Sequence, residues 1–149
     1  MKHGLRGTVA ALLLAIPAVA SAAADIAMHR DPGCGCCEKW AAQVRQQFGR
    51  KVQIIDDANR TALQRRVGVP AQLASCHTAI IDGMAFEGHV PVADMKRVLA
   101  QHPKGVRGLA VAGMPTGSPG MEVAGVKPQA YDVIAFGPTG QRVYAHHGS

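Results

Sequence analysis

The sequence predicts an α/β domain: a mixed sheet with flanking helices, extended at its C-terminal end by a Gly/Pro loop and a hairpin. Three observations carry that expectation. Short apolar runs alternate with helix-period patterns between residues 26 and 67. Asp82-Gly83 stands between two β-prone runs, a strong hairpin signal. Another amphipathic stretch follows that hairpin, and strand–helix alternation ahead of a hairpin calls for parallel and antiparallel pairing in one sheet.

The elements follow in order. "IAMH" at 26–29 reads as the first strand, and Asp31-Pro32-Gly33 then turns the chain. From Cys37 the pattern is helical. Trp40, Val44 and Phe48 recur every four residues beside Ala41, while Lys39, Gln43, Arg45 and Gln46 fall on other faces, and Gly49 is a natural stop. "KVQIID" at 51–56 reads as a buried strand. Asp56 or Asp57 is placed to cap a second helix running through Leu63 and Val67 to Gly68. His77 to Ile81 and Met84 to Glu87 are the arms of the hairpin. Pro91 opens a third helix whose apolar face is Val92, Met95 and Leu99, and His102-Pro103 ends it. "GMPTGSPGM" at 113–121 is a Gly/Pro loop flanked by methionines. "YDVIAF" and "QRVYA", around Gly137-Pro138-Thr139-Gly140, predict a terminal hairpin.

The first 24 residues stand apart. Lys2 and Arg6 precede the apolar run "TVAALLLAIPAVA", and small residues at 20–24 offer cleavage sites near 22–24. This is the pattern of a secretory signal peptide. The run is shorter than the ~20 residues of a membrane span, so an uncleaved anchor is the weaker reading. Residues 25–149 are then expected to be one domain, with no membrane span. Without the leader, 14 basic residues face 10 acidic ones, a formal charge of +4. These charges, Arg45, Arg50, Lys51, Arg60, Arg65 and Arg66 among them, are scattered. No basic run is interleaved with aromatics, which excludes a nucleic-acid partner and leaves a mildly basic solvated surface.

The informative stretch is "DPGCGCCEKW", residues 31–40. It crowds Cys34, Cys36 and Cys37 of only four cysteines into four positions at a helix N-terminus. Three chemistries compete. A structural staple is poorly served, because adjacent cysteines bridge only with strain and short rings remove little unfolded-state entropy. A redox dithiol has a C-x-x-C, Cys34 to Cys37, after a strand and at a helix N-terminus as in thioredoxin-like folds, where the helix dipole favours a thiolate. Cys36 intrudes on that reading by inviting off-path exchange. A soft-metal site uses all three. The spacing matches neither iron–sulfur runs nor paired zinc knuckles, whereas Cu(I) takes bridging thiolates. A cysteine hydrolase is the poorest fit: it needs one activated thiol with a His and an orienting Asn or Asp.

Further candidates lie nearby. Cys76-His77 adds a fourth thiol and an imidazole at the start of the hairpin, and His89 follows the hairpin. Met114 and Met121 bracket the Gly/Pro loop with soft thioethers, while Met28, Met84 and Met95 read as core. His146-His147 reads as a weak metal site or a frayed tail.

"DPGCGCCEKW", "GVPAQLASCHTAIIDG", "FEGHVP" and "GMPTGSPGME" together resemble the CopG-type family of periplasmic copper-resistance proteins, over about residues 26–136. This is the cysteine-rich family, not the DNA-binding repressors of the same name. The resemblance implies a thioredoxin-like domain and copper held by Cys34, Cys36, Cys37 and Cys76. His77, His89, Met114 and Met121 carry over as motif members. It also implies a place in the periplasm among copper-handling proteins, and a cis-proline loop against the C-x-x-C, for which Val69-Pro70 has the matching position. Storage, transfer and redox conversion of copper stay open, and so does enzymatic activity. The expected function is Cu(I) binding in a cysteine cage, with a multinuclear cluster and copper redox activity as sub-hypotheses. The alternative is a thiol–disulfide oxidoreductase using Cys34 and Cys37.

Overall fold

Successive residues along a strand face opposite sides of the sheet, so that one side carries one set of apolar residues and the other side a second. The computed structural model describes residues 24–148, and the leader expected at the N-terminus lies, except for Ala24, outside the described residues. Strand β1 (Ile26–Arg30) is followed by helix α1 (Gly35–Phe48), β2 (Val52–Asp56) and helix α2 (Arg60–Val67). A short 3-10 turn at Ala71–Leu73 leads into β3 (His77–Ile81) and β4 (Met84–Glu87). Helix α3 (Val92–Gln101), β5 (Gly108–Ala110), β6 (Tyr131–Gly137) and β7 (Gly140–His147) complete the order. The strands form one seven-stranded sheet in the order β2-β1-β3-β4-β5-β6-β7. β1 with β2 and β4 with β5 are parallel; the other four pairs are antiparallel. The mixed α/β architecture read from the sequence is the one observed.

Two cores follow from the alternation. Ile26, Met28, Ala79, Ile81, Phe86, Leu109 and Val133 pack with the apolar faces of α1 and α3. Their strand neighbours Ile80, Ala85, Ala110, Ile134 and Phe136 pack on the opposite side with Val67, Val69 and Leu73. Helix α1 buries Cys37, Trp40, Ala41 and Val44, a single stripe at helical spacing. Trp40 is wholly buried, and its indole N–H donates to the Val90 carbonyl at 3.0 Å. Met28, Met84 and Met95 are core residues, as expected.

Several sequence expectations need correction. Helix α1 begins at Gly35 rather than Cys37, with Cys34 as its N-cap, and α2 begins at Arg60 rather than beside Asp56 or Asp57. Asp57 instead accepts the Asn59 N–H at 2.9 Å in the turn before α2. The stretch read as a buried strand is β2, an edge strand in which only Val52 is buried. Strand β5 was not expected, because three residues give no period to read. Among the described residues there is no cis peptide bond, so Pro70 is trans. His146-His147 is not a frayed tail: β7 runs through His147, whose Nε2 lies 2.6 Å from Asp94 on α3. Arg60, read as a surface charge, is buried.

Candidate metal centre

The ladder between β1, β3 and β4 assembles the site. Arg30 pairs with His77 and Thr78 with Glu87. Continuing the first register by one step brings Asp31 beside Cys76, where the Asp31 N–H donates to the Cys76 carbonyl at 3.0 Å. Continuing the second by two steps sets His89 beside Cys76, with Sγ and Nε2 3.1 Å apart. The turn Asp31-Pro32-Gly33 then lifts the chain into α1, so Cys34, Cys36 and Cys37 arrive at the same end of the sheet. The Cys37 sulfur lies 3.7 Å from the Cys76 carbonyl oxygen.

Cys34 and Cys37 are joined in a disulfide, while Cys36 and Cys76 are free. The bridged pair is the C-x-x-C of the redox reading, while the adjacent pair Cys36–Cys37 and the tight ring Cys34–Cys36, read as poor staples, are not formed. The C-x-x-C spacing at the first helical turn sets their Cα atoms 5.4 Å apart, within the ordinary disulfide range. The Cys36 sulfur lies 3.3 Å from that of Cys34. The four cysteine sulfurs fall within 4.8 Å of one another, and so do the ligand atoms of Cys76, His77 and His89. Cys76 belongs to both groups. The structure thus brings together all four cysteines and the two histidines singled out in the sequence.

Each imidazole has a defined setting. His89 is buried, and its Nδ1 donates to the Pro119 carbonyl at 2.7 Å. That bond fixes the tautomer and leaves the Nε2 lone pair facing the Cys76 thiol, which donates to it. Burial pushes the His89 pKa below its ordinary value, against the pull of the Pro119 carbonyl. His77 is completely buried against the Trp40 ring, with centroids 4.4 Å apart. Its Nδ1 lies 3.5 Å from the Cys76 sulfur, and its Nε2 is a buried nitrogen without a hydrogen-bond partner. Burial first, then His89 and Arg60, hold His77 well below the ordinary histidine range, so the ring is neutral. Burial also pushes the Cys76 thiol up to about 12, with Cys36 adding to the shift. A soft cation suits these donors. Neutral imidazoles and thiols that lose their protons to the metal are its ordinary ligands, and the unpaired His77 nitrogen is a donor that the protein itself leaves unused.

The loop at 113–121 roofs the cluster. Ser75 Oγ donates to the Gly113 carbonyl at 2.6 Å, and Pro119 is held by His89. Gly120 sits directly on α1: a Cβ there would stand 2.7 Å from the Cys36 carbonyl oxygen, and its φ of +84° is also one that favours glycine. Met114 is half exposed and sets its sulfur 3.9 Å from that of Cys36. Met121 enters through its backbone, its N–H donating to Ser118 at 2.8 Å and its carbonyl accepting from Gly117 at 3.0 Å.

Sequence reading missed the residues that hold this frame. Glu87 is fully buried and accepts from Gln64 Nε2 and the Ser75 N–H at 2.7 Å each, and from Thr78 Oγ1 at 2.5 Å. Arg60 reaches the same carboxylate at 3.3 Å, Asp31 at 2.8 Å and the Ser75 carbonyl at 2.5 Å. It ties the turn before Cys34 to the turn before Cys76. Burial raises the Glu87 pKa, opposed by Thr78, Ser75, Gln64 and Arg60. The available signal was Glu87 itself, a charge that ends an otherwise apolar strand.

The fold and the site define a class: small mixed α/β proteins that gather cysteines, from a helix N-terminus and a facing strand, with two buried histidines. Comparisons with known proteins narrow it. A family model described as "Protein of unknown function, DUF411" matches residues 73–121, the span from before Cys76 to Met121. Two solved structures are similar over most of the chain. "Copper resistance protein copG- Form 1" is 40% identical with a TM-score of 0.77, covering 86% of this chain and 100% of that one. "Copper resistance protein copG- Form 2" is 41% identical with a TM-score of 0.74, covering 83% and 97%. Among curated proteins, none matches the chain. The chain belongs to the CopG family of copper-resistance proteins.

Proposed function

We propose that this protein binds Cu(I) for copper resistance, holding it in a cage of Cys34, Cys36, Cys37 and Cys76. His77 and His89 are nitrogen ligands on the inner side, and the loop bearing Met114 and Met121 is an outer shell of soft donors. The observation that carries the reading is the sharing of Cys76 between a four-sulfur group and a sulfur–imidazole group. A thiolate common to two donor groups can bridge two ions, which favours a multinuclear cluster over a single tetrahedral ion. Copper here is cargo. The family resemblance, the soft donor set and the unpaired His77 nitrogen support that identity. The chain is further proposed to be exported by residues 1–24 and to work in the periplasm as one thioredoxin-like domain, residues 25–149. Its partners are copper ions and other periplasmic copper-handling proteins.

A second reading has its own observation. Cys34 and Cys37 form a disulfide at the α1 N-terminus, the arrangement that a thiol–disulfide oxidoreductase uses. Opening it takes two electrons and two protons from a dithiol, which is itself oxidised to a disulfide. The cage reading needs the same reduction before Cys34 and Cys37 can act as ligands.

The test is an anaerobic Cu(I) titration of the reduced protein with thiols counted beforehand and Zn(II) as control. More than one tightly held copper per chain, consuming all four thiols, supports the cage. Copper bound no better than zinc, together with ready cycling of Cys34–Cys37 against a dithiol, overturns it. Cys36→Ser separates the readings: the cage loses copper capacity, whereas an exchanging dithiol is kept or improved.

A further inference from the structure

Helix α2 sends Arg60 and Gln64, near its start, to the Glu87 carboxylate. Its other end, with hairpin β3–β4, borders a cleft of about 530 Å³ that shares no residue with the cysteine–histidine cluster. Ligand clefts run from roughly 300 to 1,000 Å³. The floor is apolar: Leu63 and Ala85 are buried, and Val67 and Ile80 partly so. Two exposed arginines stand at its rim. Arg66 follows Leu63 by three positions on α2, a spacing that sets it beside the apolar stripe. Arg107 comes from the turn before β5 and lies against Gly68, where a Cβ would stand 3.2 Å from Nη1. Among the described residues neither guanidinium has a carboxylate partner, whereas Arg30, Arg50, Arg60 and Arg97 each have one. One free guanidinium on a surface is commonplace. Two that border the same apolar floor are a pattern with a complement.

We infer that this cleft binds a small amphipathic anion, an apolar body with a carboxylate or phosphate head. The head takes charge-assisted hydrogen bonds from Arg66 and Arg107, whose planar forks suit either group. The body covers Leu63, Val67 and Ile80 and removes their apolar surface from water. Both halves of the ligand are needed. An inorganic anion leaves the floor bare, and an uncharged apolar molecule leaves two guanidiniums unanswered. The site stands apart from the copper reading, since it uses none of the residues assigned to the cage.

The experiment titrates isotope-labelled, copper-free protein and follows the amide resonances of Gly83, Ala85 and Arg107 by NMR. The probes are octanoate, octyl phosphate, butanoate, octylammonium and inorganic phosphate. Either octyl anion is expected to move those resonances, and the tighter of the two names the head. Octanoate should bind about tenfold more tightly than butanoate, because its extra methylenes are buried on the floor. Octylammonium and inorganic phosphate should leave the resonances in place. Arg66→Gln and Arg107→Gln should each weaken octanoate about tenfold, the scale of one charge-assisted hydrogen bond, and Arg107→Lys should restore part of that loss. Octylammonium binding as well as octanoate overturns the site, since the cleft would then be merely apolar. So does an affinity unchanged in both arginine variants, and so does the absence of any shift at millimolar octanoate or octyl phosphate. Should Arg107→Gln fail to fold, because Arg107 is seated on the end of α2, Arg66→Gln on the exposed face of the helix decides the matter alone.

Discussion

A methyl group at position 120 would stand 2.7 Å from the Cys36 carbonyl oxygen and 2.8 Å from the Trp40 backbone nitrogen. No flexible side chain is there to yield, so Gly120→Ala is expected to cost about 1–3 kcal/mol in forced backbone geometry. The loop should lift from α1, and limited proteolysis should cut within 113–121 faster than in the wild-type protein. Asp57 offers a prediction in pH. Its carboxyl, bonded to His29 at 2.9 Å, is held below its ordinary value of 3.8 by that bond first and the Asn59 N–H second. A lowered folded-state pKa adds stability that is complete above the unfolded value and is lost as pH falls through the folded one. The gap in urea midpoint between wild type and Asp57→Asn should therefore be full at neutral pH and close in acid below about 3.8. At this scale the sequence was legible wherever residue type alone speaks: three cysteines in four positions, or two methionines on a loop. Arg60 and Glu87 were not, because a charge is buried only when its partners come from elsewhere in the chain, and Gln64, Thr78, Ser75 and Asp31 are not visible as a group until the chain folds.

Elements bring those partners together. Helix α1 hangs on Trp40, which fills the space between the sheet and the site and lies against the His77 ring. Trp40→Ala is expected to destabilise the domain by about 3–5 kcal/mol, measured by chemical unfolding. It should also free His77 to rotate away from Cys76. The Arg60–Glu87 pair acts on the turn at Ser75. Glu87→Ala leaves Arg60 with Asp31 as its remaining carboxylate but takes the acceptor from Gln64, Thr78 and the Ser75 N–H, at a cost of about 1–3 kcal/mol for each buried donor left unpaired. If the variant folds, its copper affinity should fall, because the Ser75 N–H loses the acceptor that sets Cys76 in place. The same unfolding experiment and a competition with a Cu(I) chelator check both effects. Hairpin β3–β4 and the stripe of α1 were readable from period alone. Strand β2 was misread because an apolar run looks alike in the centre of a sheet and at its edge, and the difference lies in strand order, which is a property of the whole sheet.

For the whole molecule, the sheet and not the sulfur bridge carries stability. The Cys34–Cys37 ring encloses few residues, and its loop-closure contribution is about 2 kcal/mol. Reduction should therefore shift the unfolding midpoint modestly and leave the native circular dichroism spectrum in place, while the number of free thiols, counted in denaturant, rises from two to four. Loss of the fold on reduction would show the bridge to be structural. A domain that tolerates both states can present two thiols or four without rebuilding itself. The fold class was legible because alternation and hairpin agree along the chain. The meeting of Cys76 with Cys34, Cys36 and Cys37 was legible only through the resemblance, since it depends on the pairing of β1 with β3 across some fifty residues.

That pairing extends to a matter of counting. In the β3–β4 hairpin every partner pair is placed symmetrically about Asp82-Gly83, and Cys76 and His89 lie six residues out from the turn on either arm. The hairpin is a ruler whose zero is the turn. One residue added between Asp82 and Gly83, carried through the pairing, would slide Gly88 into the place of His89, leaving every residue of the site intact and the site itself disassembled. The chemistry at one end of the sheet is set by the length of a loop at the other.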